Sequence, residues 1–259
     1  MDRPPLVEPS TNPPPPLPPT TSLPARLLNV FATPGEVFEE VASAPRAVRN
    51  WLVPALIACF VTVTSVVILF SQPTIQQQVR EQQQAALDKN VKAGKMTQAQ
   101  ADQAVEMMGK FAGVIAGIGG LFWAFASIFV LAFGLWLLAL WIFKADLNYM
   151  KAVEVVSLAG MISVLHQIVT LLLRVNLGNA SSSTNLALLV GKFDPENPLH
   201  LVLAMLDLFV IWYLIVLAIG FSKLMRVAFG RVFFVLTLAW FIVHSILMLG
   251  ALLSVKMFT

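Results

Sequence analysis

The sequence predicts an all-α integral membrane protein built as a bundle of five transmembrane helices, and three observations carry that reading. Hydrophobic residues make up 58% of the 259-residue chain and charged residues only 12%, about half the charged share that a soluble domain uses to cover its surface. Mean hydropathy is +0.78. Five separate apolar runs each reach the length of about 20 residues that crosses a hydrocarbon core about 30 Å thick with every backbone amide satisfied inside the segment. A net charge of +3, scattered among apolar runs, argues against a nucleic-acid-binding face. The single cysteine, Cys59, excludes an internal disulfide and a thiolate metal cluster and reads as a buried small hydrophobe.

Residues 1–24 contain ten prolines, PPPPLPP among them. Proline locks the backbone near polyproline II and removes amide donors, so this tail is expected to be extended and disordered, a tether or a ligand for an aromatic groove. Residues 25–50 form an amphipathic cytoplasmic segment. Thr33-Pro34-Gly35-Glu36 has the pattern of a capping box with proline at the first helical position. Val37, Phe38 and Val41 then recur at helical spacing opposite Glu36, Glu39 and Glu40. The segment either lies on the membrane surface or packs on the protein's own loops.

The membrane domain covers residues 51–254, with spans at about 51–71, 113–143, 152–173, 199–221 and 232–254. Between the first two spans, residues 74–110 are rich in glutamine and mixed charge with a thin apolar stripe. Gly94 breaks this stretch, and Thr97 with Gln100 offers a second capping box, so a helical hairpin is expected to project from the membrane. Gly113, Gly117 and Gly120 line one face of the second span, which lets another helix approach closely, within the chain or across a homodimer seam. Residues 175–198 read as an irregular outer loop, and its Asn179–Ser181 sequon as a chance match.

Five passes put the termini on opposite sides. Near the spans, Lys and Arg number seven on the N-terminal side and five on the other, which favours a cytoplasmic N-terminus and an outside C-terminus. No secretory leader is expected, because the first apolar run begins only at Trp51.

Ionisable residues inside lipid are costly and call for a partner or a purpose. Glu154 lies near a span end, where it can snorkel to headgroups or reach Lys151. His166, Asp207 and His244 are deeper. At a rise of about 1.5 Å per residue they fall within about 5 Å of one depth, so a polar layer is expected in which Asp207 bonds to His166 or His244. Such a layer serves as glue between helices or as a proton or ion relay, or its members are unrelated. Enzyme signatures are missing: no HExxH, GxSxG, GxxxxGK[ST] or GxGxxG after a strand occurs. No catalytic residue, metal site or cofactor is expected.

Three stretches resemble the Yip (Ypt-interacting protein) domain in its bacterial form. RLLNVFATPGEVFEEV with WLVPALIA resembles the family's opening, and KAVEVVSLAG at 151–160 its third span. LDLFVIWYLIVLAIGFSKL resembles its Asp-x-Phe-x-x-Trp segment ending in Gly, here Asp207, Phe209, Trp212 and Gly220. The resemblance covers residues 25–254 and implies five passes in a membrane, here a bacterial inner membrane. Eukaryotic members are factors of early secretory traffic associated with Rab GTPases and carry Asp-Leu-Tyr-Gly-Pro. This chain has Phe209 after Asp207 and Leu208, so a Rab GTPase partner is not expected. The sequence thus points to a non-enzymatic membrane scaffold or adaptor that works with the lipid bilayer and a membrane-protein partner or a second copy. The alternative is a small transporter or channel component using the Asp207 layer.

Overall fold

The structure, a computed structural model, describes residues 21–190 and 197–257, and among them it is a bundle of ten α-helices without strands. Most of the expected disordered tail, residues 1–20, lies outside the described residues. The first helix, α1 (Leu23–Ala32), starts at Ser22, whose hydroxyl accepts the Ala25 amide, with proline in the first turn. Helix α2 (Pro34–Ser43) follows after one residue. Thr33 closes α1 through its amide bond to the Asn29 carbonyl, so its backbone sits at φ −128°, ψ 55° and its side chain does not cap α2. The expected Thr33–Glu36 capping box is therefore not made, because one residue serves two helix ends.

Helices α3 (Arg49–Phe70), α4 (Pro73–Lys92) and α5 (Gln98–Trp141) form the first span, the projecting hairpin and the second span. Gly94 reverses the chain at φ +69°. Thr97 and Gln100 make the reciprocal capping box at the start of α5. With 44 residues, α5 is about 66 Å long, so its first turns extend past the bilayer and pack along α4. Its glycine face rests on α3. A Cβ on Gly113 would sit 3.4 Å from Phe70 Cγ, and one on Gly120 3.0 Å from Thr62 Cγ2.

Helices α6 (Tyr149–Ala159) and α7 (Met161–Leu177) make the third crossing as one apolar stretch bent at Gly160. The fourth run departs from expectation. Instead of a continuous helix over 199–221, the chain forms a short α8 (Pro198–Met205), breaks at Leu206, and restarts as α9 (Leu208–Met225), which is the stretch that crosses. Helix α10 (Phe229–Met257) supplies the fifth crossing and packs on α9. Among the described residues, five helical stretches are thus long and apolar enough to span a bilayer. Large apolar side chains such as Phe60, Phe122, Trp123 and Phe234 cover their outer surfaces, as a lipid solvent requires.

The core lies at the end of the bundle where α1 and α2 sit, called here the cap face; the opposite end carries the hairpin. Val30, Val37, Phe38 and Val41 are fully buried, and α2 packs on α9 and α6. The apolar stripe of residues 25–50 therefore faces protein, which resolves the two sequence alternatives in favour of self-packing. Close approach depends on Gly220, where a Cβ would stand 2.4 Å from Val155 Cγ1 and 3.2 Å from the Phe38 ring. Gly220→Ala is expected to destabilise the protein by about 1–3 kcal/mol through overpacking, whereas Gly134→Ala, with nothing within 4 Å, should be neutral or mildly stabilising in detergent unfolding experiments.

Candidate functional site

Asp207 stands at the break between α8 and α9, on the hairpin side of the bundle. Breaking a helix in an apolar setting leaves amide and carbonyl groups that need partners. The Asp207 carboxylate supplies one: its Oδ1 accepts the Phe209 amide at 2.8 Å and caps α9. The loop between α7 and α8 supplies others. Asn185 and Asp207 pair as an isolated antiparallel bridge, the Leu186 amide donates to the Leu206 carbonyl at 3.0 Å, and Asn185 Nδ2 donates to the Ala204 carbonyl at 3.0 Å.

The second carboxylate oxygen is held by that loop and by α7. Thr184 Oγ1 donates to Asp207 Oδ2 at 2.5 Å, and His166 Nε2 lies 2.8 Å from Thr184 Oγ1 and 3.4 Å from Asp207 Oδ2. With the threonine proton on the carboxylate, the imidazole Nε2–H donates to the threonine oxygen. The His166 ring stacks on Phe209 at 5.1 Å between centroids and 6° between planes. Asp207 is left 6% exposed with both oxygens bonded. His244 stands apart from this chain: its Nδ1 lies 2.9 Å from the Trp240 carbonyl and its ring stacks on Trp240. The structure thus brings His166 and Asp207 together, through Thr184, and leaves His244 across a cavity of about 730 Å³ whose wall includes all three.

The remaining motif positions have packing partners. Trp212 meets Phe31 of α1 edge-on at 5.9 Å and Phe209 at 6.2 Å. Gly220 admits Phe38 and Val155, while Gly113, Gly117 and Gly120 face Phe70, Val66 and Thr62 of α3. Among the described residues no group of three His, Cys, Asp or Glu is placed to hold a metal ion.

A second polar assembly joins the cap to the bundle. Arg26, 3% exposed, donates from Nε to Glu40 Oε2 at 3.2 Å and from Nη1 to Asn50 Oδ1 at 3.2 Å. Asn50 Nδ2 donates to Glu154 Oε2 at 2.7 Å, and the Ala47 amide to Glu154 Oε1 at 3.1 Å. Lys151 lies 3.6 Å from Glu154 and donates to the Val41 carbonyl at 2.6 Å. Two cations balance two carboxylates. Glu154 is 1% exposed, so the expected snorkelling position is corrected: its carboxylate turns into protein and holds the α2–α3 connection as well as Lys151. Sequence reading missed Arg26, Asn50 and Thr184. Arg26 left a signal, since it sits one helical turn before Val30 on the stripe that becomes core. Thr184, in a loop rich in serine and asparagine, left none.

These features define a polytopic integral membrane protein whose cap and α7–α8 loop are both bonded into the bundle. Residues 28–250 match the model of the Yip1 domain, and the chain belongs to that family. No curated protein and no solved structure gives a significant match.

Two predictions follow from the bonding. Asp207→Ala loses the helix cap and the Thr184 bond and is expected to cost about 2–4 kcal/mol in unfolding, whereas Asp207→Asn keeps a capping oxygen and should cost less than half as much; equal losses would refute the capping role. In the cap, the Thr21 hydroxyl bonded to Glu40, with Arg26 beside it, holds that carboxyl below its ordinary value of 4.5 against the opposing effect of burial. Its stabilising contribution is therefore fully present above pH 4.5 and is lost as pH falls through the lowered folded-state value. Melting temperature measured from pH 7 downward should show this loss, and Glu40→Gln should flatten it.

Proposed function

We propose that the protein is a non-enzymatic membrane scaffold or adaptor of the Yip type, in the bacterial form of the family. It sits in a bacterial inner membrane with the N-terminus in the cytoplasm and the C-terminus outside. The single observation that carries this reading is the complete engagement of Asp207: one oxygen caps α9, the other takes Thr184, and His166 closes the chain. A carboxylate so bonded fastens a loop to a broken span. A proton carrier has to be released and rebonded in each cycle.

The rest of the bundle supports the same role. Membership of the Yip1 domain family accords with an integral membrane protein that works through other proteins. The α4–α5 hairpin extends beyond the bilayer with most of its charged and glutamine side chains exposed, and it is the surface offered to a membrane-protein partner. A homodimer would use the outer flank of α5, because its glycine face is taken by α3. Neither nucleic acid nor a Rab GTPase belongs to this reading. The transporter alternative draws on one observation, the cavity beside His166, Asp207 and His244.

Affinity capture from membranes tests the proposal, using the full chain and a chain lacking residues 1–20. Truncation to residue 50 is unsuitable, since it would remove Val30, Phe38 and Val41 from the core. A membrane protein recovered in about equimolar amount with the full chain is expected, together with no proton flux in proteoliposomes. Flux that Asp207→Asn abolishes without loss of fold would overturn the scaffold reading in favour of transport.

A further inference from the structure

Two cavities adjoin within the bundle, one at the hairpin side beside Asp207 and one reaching toward the cap face at Pro54, Leu138 and Leu217. The one beside Asp207 has walls that include the polar side chains of Arg174, His166 and Asn185 among apolar ones. The other, of about 840 Å³, is lined by apolar side chains of α3, α5, α7, α9 and α10. Ser163, Gln167, Val210, Trp240 and His244 belong to the walls of both, so the two spaces are neighbours separated by at most one layer of side chains. Each volume falls within the range of about 300–1,000 Å³ typical of small-molecule sites.

The chemistry is graded along this space. Arg174 on α7 donates through Nε to the Ser182 carbonyl at 3.0 Å, and among the described residues its two terminal amino groups have no partner and no carboxylate pairs with it. Asp207, on the same wall, is already committed to Phe209, Thr184 and His166. The Ser65 and Thr170 hydroxyls of the wall also lack protein partners. A guanidinium at the end of a span, with free donors, fits a phosphate or carboxylate, which it can grip with two parallel hydrogen bonds. Beyond Gln167 the walls turn apolar at Leu214, Leu217 and Ala239. The exposed side chains of Trp123 and Val130 on α5 and Val243 on α10 belong to this wall, so the space opens sideways between these helices toward acyl chains.

We infer that these two adjoining cavities together bind one anionic amphiphile, with its phosphate or carboxylate head on Arg174 and its hydrocarbon chain in the apolar chamber toward Ala239 and Trp240. The inference is independent of the scaffold role, for it rests on the cavities and on a cation that no carboxylate among the described residues pairs. A zwitterionic head with a choline group gains less, since the wall has no free carboxylate for it.

Native mass spectrometry of the full chain in detergent, titrated with dioleoylphosphatidylglycerol, dioleoylphosphatidylcholine or oleate, tests this. One anionic molecule per chain is expected, and Arg174→Gln should weaken its binding by about tenfold, the factor that a lost charged hydrogen bond supplies. Lys110→Gln, an exposed cation of the hairpin paired with Glu106, should leave binding unchanged. Ala239→Trp fills the apolar chamber, keeps Arg174 and should also weaken binding, so the test survives if Arg174→Gln fails to fold. Retention of phosphatidylglycerol assigns the site to a bilayer lipid; retention of oleate alone assigns it to a free fatty acid. Equal binding of phosphatidylcholine and phosphatidylglycerol, insensitivity to both cavity variants, or no retained amphiphile would overturn the inference.

Discussion

A break in an apolar helix has to be repaired with hydrogen bonds from within the protein, because hydrocarbon offers none. That constraint organises the hairpin side of this molecule. The chain stops being helical at Leu206, and the groups left open are taken by the Asp207 carboxylate and by residues 184–186 of the preceding loop. The loop is drawn onto the bundle as a result, which brings Thr184 to His166 and sets one wall of the cavity. An aspartate that looks anomalous within a span is ordinary at the N-cap of a helix.

The cap face obeys the same physics with a different solution. Arg26, Asn50 and Glu154 are buried, Lys151 nearly so and Glu40 half-buried at the edge, and their charges balance across four chain segments. Burying ions in this way adds little net stability compared with apolar packing, but removal of one member leaves another uncompensated. The network therefore fixes where α1 and α2 sit more than how tightly they hold. Adhesion comes from Phe38, Val41 and Val37 against α9 and α6, at a distance that Gly220 makes accessible.

Much of the fold was legible in the residues because the bilayer imposes a coarse rule: about 20 apolar residues cross it. Four of the five expected spans lie where crossing helices are found, and the hairpin with its Gly94 turn and Thr97–Gln100 box forms as the local chemistry dictates. The break at Leu206 within the expected fourth run was not foreseen, because hydropathy does not register a break between two apolar helices. The Thr33 box failed because capping patterns ignore a helix that ends on the same residue.

The site was legible only in part. Ionisable residues in apolar runs single out His166, Asp207 and Glu154, and helical rise places the first two at similar depth. Which of them bond is set by side-chain direction and by the intervening Thr184, neither of which leaves a mark in composition or periodicity. The sequence by itself determined the solvent, the number of crossings and the list of costly polar groups, since each follows from local apolar length and charge. Tertiary structure alone decided that α1 and α2 face protein, that His244 stands apart, and that Arg174 lines a cavity whose one described carboxylate, Asp207, is bonded elsewhere, because these depend on contacts between segments distant in the chain.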